Sequence, residues 1–560
     1  MNILGLWDGH DSGAALVMAG RVVCAVNEER FTRRKLEIAF PAQALEACLH
    51  QGGLRPDAID HIACATFDPA KTLTRLWPQS KERYYRVRRR LDPPSPSNHL
   101  IKSIKYWLTE KKGNGVTHWL SSRVLRAQLA GMGFSGCRFS LLDHHLCHGA
   151  CAAFGAGFER AAVITLDGVG DGLSGSVGLW QEGTLRPVAT LAARDSLGIF
   201  FEHVTSLLHM RELEDEGKVM ALADFALPVP DEDNPLLDFF WLEGLRLRGR
   251  YHANELYRRL GAVYWRCTPE QFAAMAQRTL EKWVVELVRN ALRTTRANQV
   301  ALAGGVFANV KLNGLIRNLP EVAACHVFPH MGDGGLALGA ALAVNPAAAH
   351  FWPDDLYLGP EYTRQELLDA LEKSGLAYRQ PVDLIGESAT LIAAGQIVGW
   401  FQGRMEYGPR ALGGRSVLAL PGLPNLRDAL NLRLKKRSWY QPFCPSMLDG
   451  EARRLLQDHA GAPDRYMTSI YQVRPEFRSA LSGVLSRDGS CRPQMVAEDD
   501  SRFAQLLKAI QMRTGYGVLL NTSFNSHGEP LVCSPDDALR AFATMGIDCL
   551  ILGDWIVAKG

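Results

Sequence analysis

The sequence predicts an α/β protein with an internally duplicated N-terminal part and a second α/β domain behind it. The first observation is that a short apolar strand runs twice into an acidic, glycine-rich turn, at residues 8–13 and 167–172. The second is that each of these turns is followed by two further strand-like segments. The third is that glycine-rich turns at residues 304–305 and 332–335 also follow apolar strands. Four such elements in order predict a nucleotide cleft between two related lobes.

The composition is that of an ordinary globular protein. The chain has 560 residues, of which 47% are hydrophobic and 22% are charged. At about 150 residues per domain this length predicts two to four domains with a large core. The net charge of +3 demands neither a nucleic acid nor a membrane surface as partner. Twelve scattered cysteines, no basic leader and no long apolar run lead us to expect a cytoplasmic protein without disulfides or a membrane partner.

The two repeats each predict a set of three strands. The first predicts strands at 2–7, 14–18 and 22–26, and the second predicts strands at 161–166, 176–180 and 185–191. Glycines in the turns let the backbone approach a phosphate closely, and the aspartates can hold a cation. His10 lies in the first turn. A histidine near its ordinary pKa can take a proton from a hydroxyl at neutral pH, so His10 is a candidate base; the alternative is a polar turn residue.

The next two elements are predicted to bind the nucleotide. Gly304 and Gly305 end a strand and precede a predicted helix at 306–317, an arrangement that favours phosphate at the helix N-terminus. A strand at 326–329 and the turn at 331–335 then lead into a predicted helix at 336–344.

A candidate metal site comes from a histidine-rich segment. His144 and His148 lie four residues apart, which places both on one face if the segment is helical. Asp167 and Asp333 each follow an apolar strand and complete a set of two histidines and two aspartates. This set suits a first-row divalent ion, and Fe(II), Mn and Zn all fit it. The alternative is a polar helix end with hydrogen-bonded core histidines.

The boundaries follow from charge and proline content. Residues 81–112 contain ten Lys or Arg against three Asp or Glu, and we expect them within a basic insertion at 78–125. This stretch is either a solvated insertion or a surface that binds an acceptor or a phosphate. We expect a first domain at 1–347, a linker at 348–362 and a second domain at 363–560.

A second cluster lies in the C-terminal half. Arg404 and Arg410 stand in a glycine-rich loop that follows a strand, and Lys435 and Arg492 come later. Guanidinium groups hold phosphate through two parallel hydrogen bonds, and lysine adds a point charge. The cluster therefore predicts a pocket for a ligand with several negative charges, the alternative being a solvated basic face.

Together these residues resemble the carbamoyltransferase family of the NodU/CmcH type, over nearly the whole chain. The motifs that carry the resemblance are Asp8-x-His10-Asp11-x-x-Ala14-Ala15, Asn27-Glu28-Glu29-Arg30-Phe31-Thr32-Arg33-x-Lys35, His144-x-x-x-His148, Glu216-Gly217-Lys218-Val219-Met220, Gly304-Gly305-Val306-x-x-Asn309, Gly332-Asp333-Gly334-Gly335, the run from Gly403 to Gly413, and Asn521-Thr522-Ser523-Phe524-Asn525-x-x-Gly528-Glu529-Pro530.

The resemblance implies an actin/sugar-kinase-like (ribonuclease-H-like) first domain and a YrdC-like second domain, with the extreme C-terminus packing back on the first domain. The second domain would combine carbamoyl phosphate with ATP, which Mg²⁺ accompanies, to form carbamoyl adenylate. The first would transfer the carbamoyl group to a hydroxyl of a small natural product or glycan, as in antibiotic or other secondary metabolism. A metal ion, Fe(II) by preference, would neutralise the departing AMP.

The resemblance also implies roles for individual residues. The catalytic residues would be His10, Lys35 and Arg410, and the metal ligands would be His144, His148, Asp167 and Asp333. Binding of ATP and carbamoyl phosphate would fall to Gly304, Gly305, Asn309, Glu216, Lys218, Arg404, Lys435, Arg492, Asn521, Ser523 and Asn525.

Two positions depart from the pattern of the family. Gln441 stands where the family usually has an arginine, and Ser486 stands where a histidine is common. Gln441 cannot make the ionic contact of an arginine, so either Lys436 compensates or binding of carbamoyl phosphate is altered. Two other functions stay open: a tRNA-modifying relative, supported by the basic stretch, and a nucleotide sensor without activity, supported by Gln441. The acceptor and the oligomeric state are not specified by the sequence.

Overall fold

The computed structural model describes residues 1–93, 104, 107–345, 355–423, 425–457 and 462–559. The chain forms two compact units. The first contains Met1–Glu28 and Glu37–Asp354, and the second contains Glu29–Leu36 and Asp355–Gly560. Of the expected linker at 348–362, residues 348–354 lie outside the described part, and 355–362 belong to the second unit. Residues 29–36 belong to the second unit, although the sequence predicts them within the first domain at 1–347.

The first unit contains two five-stranded sheets with the same strand order. The strands are β1 Asn2–Trp7, β2 Gly13–Met18, β3 Arg21–Asn27, β4 His61–Ala65, β5 Arg138–Leu142, β6 Arg160–Gly170, β7 Leu173–Gln181, β8 Thr184–Ala192, β9 Phe240–Glu243, β10 Arg246–Gly249, β11 Gln299–Ala303 and β12 Ala324–Val327. The sheets are ordered β3-β2-β1-β4-β5 and β8-β7-β6-β11-β12. In each, three antiparallel strands are followed by two parallel ones. This repeated ribonuclease-H-like order confirms the predicted duplication.

The helices of the first unit cover both sheets. They are Ala42–Gly52, Pro69–Leu76, Pro78–Arg88, Gly115–Gly131, His144–Gly155, Leu197–Leu207, Glu216–Leu222, Ala253–Tyr264, Pro269–Thr295, Val310–Arg317 and Leu336–Ala343. Helices His144–Gly155 and Leu336–Ala343 pack against each other at close range. A Cβ atom on Gly339 would lie 2.1 Å from the carbonyl oxygen of Cys147, so only glycine fits there. This contact brings the helix that carries His144 and His148 against the helix that follows Asp333.

Buried ion pairs fix the described part of the basic insertion. The guanidinium of Arg88 contacts the carboxylates of Glu202 and Glu212, the latter at 2.6 Å, and Arg89 contacts Glu214. Both arginines therefore balance acids within the unit, which explains part of the positive charge of residues 81–112 without an external partner. The proline-rich centre of the stretch lies outside the described residues.

The second unit is built on one mixed sheet. Its strands are β13 Ala377–Arg379, β14 Val398–Phe401, β15 Arg415–Ala419, β16 Cys444–Leu448, β17 Tyr471–Gln472, β18 Ser490–Cys491, β19 Gln494–Val496, β20 Val518–Ser523, β21 Cys549–Leu552 and β22 Trp555–Ala558. Its helices are Glu29–Thr32, Arg364–Ser374, Leu384–Ala393, Leu426–Asp428, Asp449–Leu455, Arg502–Thr514 and Pro535–Thr544. The eight-stranded sheet has the order β13-β22-β21-β14-β15-β20-β16-β19. Successive residues such as Trp400 and Phe401 belong to different apolar clusters, so both faces of the sheet are covered.

Residues 29–36 are bonded into the second unit by two arginines. The Nη2 of Arg30 donates to the carbonyl of Gly408 at 3.0 Å. The guanidinium of Arg33 donates to the carbonyls of Leu531 at 2.7 Å and Pro530 at 2.8 Å. These contacts explain why a segment so early in the sequence folds with the C-terminal half.

Several predicted elements have different bounds in the structure. The predicted turn at 167–172 is mostly strand, because β6 continues to Gly170 through an irregularity in its pairing with β7. The helix predicted at 306–317 begins only at Val310, after a 3₁₀ turn at Gly305–Ala308, because Asn309 caps it. The strand predicted at 326–329 is Ala324–Val327. No helix in the described ranges is long and apolar enough to cross a membrane.

Candidate functional site

Four side chains of the first unit converge at the start of two packed helices. His144 and His148 come from the first turns of one helix, and their spacing places both imidazoles on the same face, as predicted. Asp167 comes from β6, and Asp333 opens the 3₁₀ turn Asp333–Gly335 that precedes the other helix. One ligand atom from each of the four lies within 4.8 Å of the others.

The distances within this four-residue group suit a shared cation. The Nε2 of His144 lies 3.2 Å from an oxygen of Asp167 and 3.5 Å from one of Asp333. The Nε2 of His148 lies 3.7 Å and 3.5 Å from the same two oxygens. Two of the buried atoms, His148 Nε2 and Asp333 Oδ1, have no hydrogen-bond partner. Unsatisfied imidazole nitrogen and carboxylate oxygen are the donors that first-row divalent ions take.

Burial and mutual charge set the protonation of the group. Burial acts to raise the pKa of Asp167, but the hydrogen bond with His144 and the nearby imidazole of His148 outweigh it and hold that pKa well below its usual range. Burial, together with the neighbouring Asp167 carboxylate, raises the pKa of Asp333 well above its usual range. Without a cation, the second carboxylate therefore resists ionisation, and a bound divalent ion would remove this conflict.

Two residues that the sequence analysis did not select orient His144. The hydroxyl of Thr66 lies 3.0 Å from Nδ1 of His144, which leaves Nε2 facing the carboxylates. One oxygen of Asp171 accepts the backbone N–H of His144 at 2.9 Å. Partners of this kind fix the ring of a metal-binding histidine. Asp171 belongs to the acidic turn noted in the sequence, whereas nothing local distinguishes Thr66.

The predicted nucleotide-binding glycines support Asp167 in the structure. Gly304 has φ +104°, and a Cβ atom there would lie 2.1 Å from the carbonyl oxygen of Leu166. The backbone N–H of Gly305 donates to Oδ1 of Asp167 at 2.9 Å. The side chain of Asn309 caps its helix and exchanges hydrogen bonds with Gln277. Binding of adenosine by these residues stays a prediction.

The first turn brings His10 to the same group. Nδ1 of His10 lies 3.5 Å from Oδ2 of Asp333, and its ring packs edge-on against Tyr85 at 5.8 Å between centroids. Asp8 fixes the start of this turn through a two-pronged contact with Arg75, at 2.9 Å for each bond, and an ion pair with Lys71 at 2.9 Å. His10 is therefore close enough to act on a group bound beside Asp333.

Three further predicted residues have other surroundings. Glu216 accepts the N–H of Leu213 at 2.7 Å, and burial together with Glu202 raises the pKa of Glu216 to about 8. Lys218 pairs with Asp215 at 2.7 Å. Lys35 belongs to the second unit. Functional roles for these three residues stay predictions.

In the second unit, three predicted residues meet around one buried ammonium. Lys435 follows the π-helix Ala429–Leu434, and short π-helical segments are frequent at functional sites. Its Nζ donates to the carbonyl of Ser523 and, at 2.9 Å, to Oδ1 of Asn525. The Ser523 hydroxyl donates to the same Oδ1 at 2.7 Å. Burial, reinforced by Arg437, lowers the pKa of Lys435 to about 7.

Arg437 acts on the pKa of this lysine, and Arg492 in turn acts on the pKa values of Arg437 and Arg410, so we call Arg410, Lys435, Arg437 and Arg492 the cation cluster. Burial and the charge of Arg492 lower the pKa of Arg410 to about 9, which indicates that these two guanidinium groups are neighbours. Arg437 stacks on Phe443 at 4.2 Å. In the described part of the chain no member of the cluster pairs with a carboxylate. Lys435 is buried and the three arginines are half-buried, and unbalanced cations in such surroundings are suited to hold an anionic ligand.

Two other predicted residues, Arg404 and Asn521, donate hydrogen bonds to backbone carbonyls. The guanidinium of Arg404 donates to the carbonyls of Leu358 at 2.8 Å and Gly359 at 3.2 Å. The amide of Asn521 donates to the carbonyl of Ala411 and to the hydroxyl of Ser446. Both contacts hold neighbouring segments in place, and ligand binding by either residue stays a prediction. Arg437, the last residue of the basic triplet 435–437 in the sequence, joins the cluster instead.

Sequence comparison identifies the class of protein that these two sites belong to. The model of the carbamoyltransferase N-terminus matches residues 2–342, and that of the carbamoyltransferase C-terminus matches residues 389–559. The chain therefore belongs to the carbamoyltransferase family, as the resemblance predicted. It is a carbamoyltransferase, an enzyme that transfers the one-carbon carbamoyl group.

Relatives with curated sequences include proteins of bacteria and archaea. The chain is 31% identical to the nodulation protein NolNO of Sinorhizobium fredii, over 98% of this chain and 79% of that protein. It is 33% identical to an uncharacterized protein of Synechocystis, over 98% and 95%. An uncharacterized protein of Methanocaldococcus jannaschii is 36% identical over 75% and 74%.

Similar solved structures share only part of the chain. The activator of 2-hydroxyisocaproyl-CoA dehydratase from Clostridium difficile, with bound ADPNP, is 14% identical, with a TM-score of 0.35 over 62% of this chain and 96% of that one. HypF from T. kodakarensis is 15% identical, with a TM-score of 0.33 over 61% and 47%. The fold assignment therefore depends on the strand order described above.

Proposed function

We propose that the chain is an ATP-dependent O-carbamoyltransferase that works through carbamoyl adenylate. In the second unit, one water would hydrolyse carbamoyl phosphate to carbamate and phosphate, and the carbamate oxygen would then attack the α-phosphorus of ATP, forming carbamoyl adenylate and releasing pyrophosphate. The first unit would then transfer the carbamoyl group to a hydroxyl of a small natural product or glycan. The observation that carries this proposal is the cation cluster, since among the described residues its four cations have no carboxylate partner and a step that binds ATP and carbamoyl phosphate needs such charge.

The first step depends on charge and on exclusion of water. Arg410 and Arg492 would hold the phosphate oxygens through their guanidinium N–H groups, and Lys435 would add charge where its ammonium meets Asn525. These groups are fixed before the substrate arrives, so little reorganisation opposes the reaction. Carbamoyl adenylate is a mixed anhydride, which water destroys, and a buried site therefore protects it.

The second step depends on the four-residue group and His10. A hydroxyl oxygen of the acceptor attacks the carbamoyl carbon, the bond from that carbon to the AMP oxygen breaks, and AMP leaves. His10 would accept the hydroxyl proton at the nitrogen that faces away from Asp333. His144, His148, Asp167 and Asp333 would hold one divalent ion, Fe(II) by preference, with Mn or Zn as alternatives. When bound, that ion would neutralise negative charge on the phosphate of the departing AMP.

The experiment mixes the full chain with Mg-ATP and carbamoyl phosphate, without acceptor, and follows carbamoyl adenylate, AMP and pyrophosphate by mass spectrometry. We expect Arg410→Ala to lose adenylate formation by a factor of about 100 or more, because it removes a charge-assisted contact made in the transition state. Arg453→Ala, which removes an exposed arginine of the same unit, is the matched control. Absence of nucleotide turnover in the unaltered chain would favour a sensor without activity.

A second comparison separates the two steps. His10→Ala is expected to form carbamoyl adenylate at the normal rate and to fail in transfer to a library of sugar and aminocyclitol alcohols. His50→Ala, an exposed histidine of the same unit, is its control. Equal loss of both steps in His10→Ala would contradict the assignment of His10 to the transfer step. Transfer to tRNA instead of small alcohols would replace the proposed acceptor class.

A further inference from the structure

Cys444 has an unusual position among the cysteines of the chain. It is the first residue of β16 and is 7% exposed. Its sulfur accepts two hydrogen bonds from one guanidinium, from Nε of Arg492 at 3.1 Å and from Nη2 at 2.8 Å. A guanidinium group that directs two N–H donors at one position usually meets a carboxylate or phosphate oxygen there. In this protein the acceptor at that position is the sulfur of Cys444.

The surroundings of this sulfur are positive. Cys444 is close enough to Arg410 and Arg437 to act electrostatically on the pKa of both, with burial as the larger influence on each. The described residues place no carboxylate in contact with these arginines or with Arg492. The sulfur of Cys444 therefore lies where cationic N–H groups can stabilise the negative charge that develops on it when it reacts with an electrophile.

We propose that Cys444 is a modification site, a nucleophilic sulfur that takes the anion position of the cation cluster and reacts with small electrophiles and peroxides when the cluster is empty. This inference rests on the proposed function, since the anion that displaces the sulfur from Arg492 is the phosphate-bearing substrate. A bound phosphate group occupies the guanidinium donors and shields the sulfur. Occupied enzyme is protected, and empty enzyme is open to modification.

The oxidation step is balanced with peroxide as the oxidant. The Cys444 thiolate attacks one peroxide oxygen, the O–O bond breaks, and a sulfenic acid and hydroxide result, with sulfur oxidised by two electrons and peroxide reduced by two. The new S–O group lies next to the donors of Arg492 and keeps them from the substrate. Thiols such as dithiothreitol return the sulfenic acid to the thiol.

The first test uses iodoacetamide on the full chain at pH 7, with peptide mass spectrometry to read each cysteine separately. Cys267, which is more exposed and whose thiol donates to the backbone carbonyls of Val263 and Tyr264, is the internal reference, and burial raises its pKa. We expect alkylation of Cys444 to be faster than that of Cys267 and to slow at least tenfold with saturating inorganic phosphate. Alkylation of Cys267 should not change with phosphate. Equal rates at Cys444 with and without phosphate would overturn the proposal.

A pair of variants tests the role of the guanidinium. Arg492→Ala should slow alkylation of Cys444 at least tenfold, and Arg492→Lys, which keeps the charge, should recover part of that rate. A Cys444 that reacts as fast in Arg492→Ala as in the unaltered chain would overturn the proposal. If Arg492→Ala fails to fold, the comparison of Arg492→Lys with the unaltered chain gives the same information, since loss of the paired donors alone lowers the rate.

Peroxide connects the modification to activity. Carbamoyl adenylate formation by the unaltered chain should fall at least tenfold after peroxide and return with dithiothreitol, and carbamoyl phosphate added beforehand should prevent the loss. Cys444→Ala should keep its own activity after peroxide, and a loss equal to that of the unaltered chain would refute the inference. If no preparation forms adenylate, the proposed function fails, while the alkylation rates still decide the case of Cys444.

Discussion

Lys435 provides a quantitative test of the cation cluster, because its charge depends on whether an anion is bound. Burial and Arg437 lower the pKa of Lys435 from its ordinary 10.5 to about 7 in the ligand-free protein. At 1.36 kcal/mol for each pH unit, this change disfavours the ammonium by about 5 kcal/mol. An anion bound beside Lys435 restores the ammonium, so binding above pH 7 must take a proton from solution.

The expected proton uptake follows from two groups. At pH 8 about nine-tenths of Lys435 is neutral when its pKa is about 7, and about one-tenth of Arg410 is neutral when its pKa is about 9. If both become fully charged in the complex, about one proton is taken up for each anion. At pH 6 the uptake is close to zero. Affinity for a dianion should therefore fall as the pH rises above 7, approaching tenfold for each pH unit.

The assay is isothermal titration calorimetry with sulfate, whose own charge does not change over this range, in buffers of different ionisation enthalpy. Lys435→Arg keeps a cation whose ordinary pKa is far above 8, so its uptake at pH 8 should drop to about one-tenth of a proton. No uptake by the unaltered chain at pH 8, or equal uptake by Lys435→Arg, would refute the reasoning.

Three further predictions concern the first unit. Asp333→Asn should lower the content of bound Fe, Mn or Zn at least tenfold by elemental analysis, while His50→Gln retains it; full retention in Asp333→Asn would count against the metal site. Arg88→Ala leaves two buried carboxylates without their cation and should cost about 3–5 kcal/mol in urea unfolding, unlike the exposed Arg123→Ala. Gly304→Ala should cost about 4 kcal/mol or more, because its Cβ meets a backbone oxygen; unchanged stability would contradict that contact.

Local patterns in the sequence predict much of the fold, since they are set by neighbours along the chain. Apolar runs that end in glycine-rich turns give the duplicated sheets, and the repeated strand order confirms that duplication. The predicted ends of strands and helices are less accurate where tertiary contacts decide where an element begins or ends. β6 continues into the predicted turn because β7 pairs with it beyond Leu166, and the start of the helix at Val310 is set by the cap at Asn309.

The histidine pair at 144 and 148 follows from helical spacing, a local property that the sequence by itself determined. The meeting of this pair with Asp333 depends on close packing of two helices that are far apart in sequence, at Gly339. In the same way, the basic triplet that contains Lys435 is visible in the sequence, but the pairing of Cys444 with Arg492 is not. Neutralisation of buried charge depends on which side chains the fold brings within a few ångströms, and only the tertiary structure decides that.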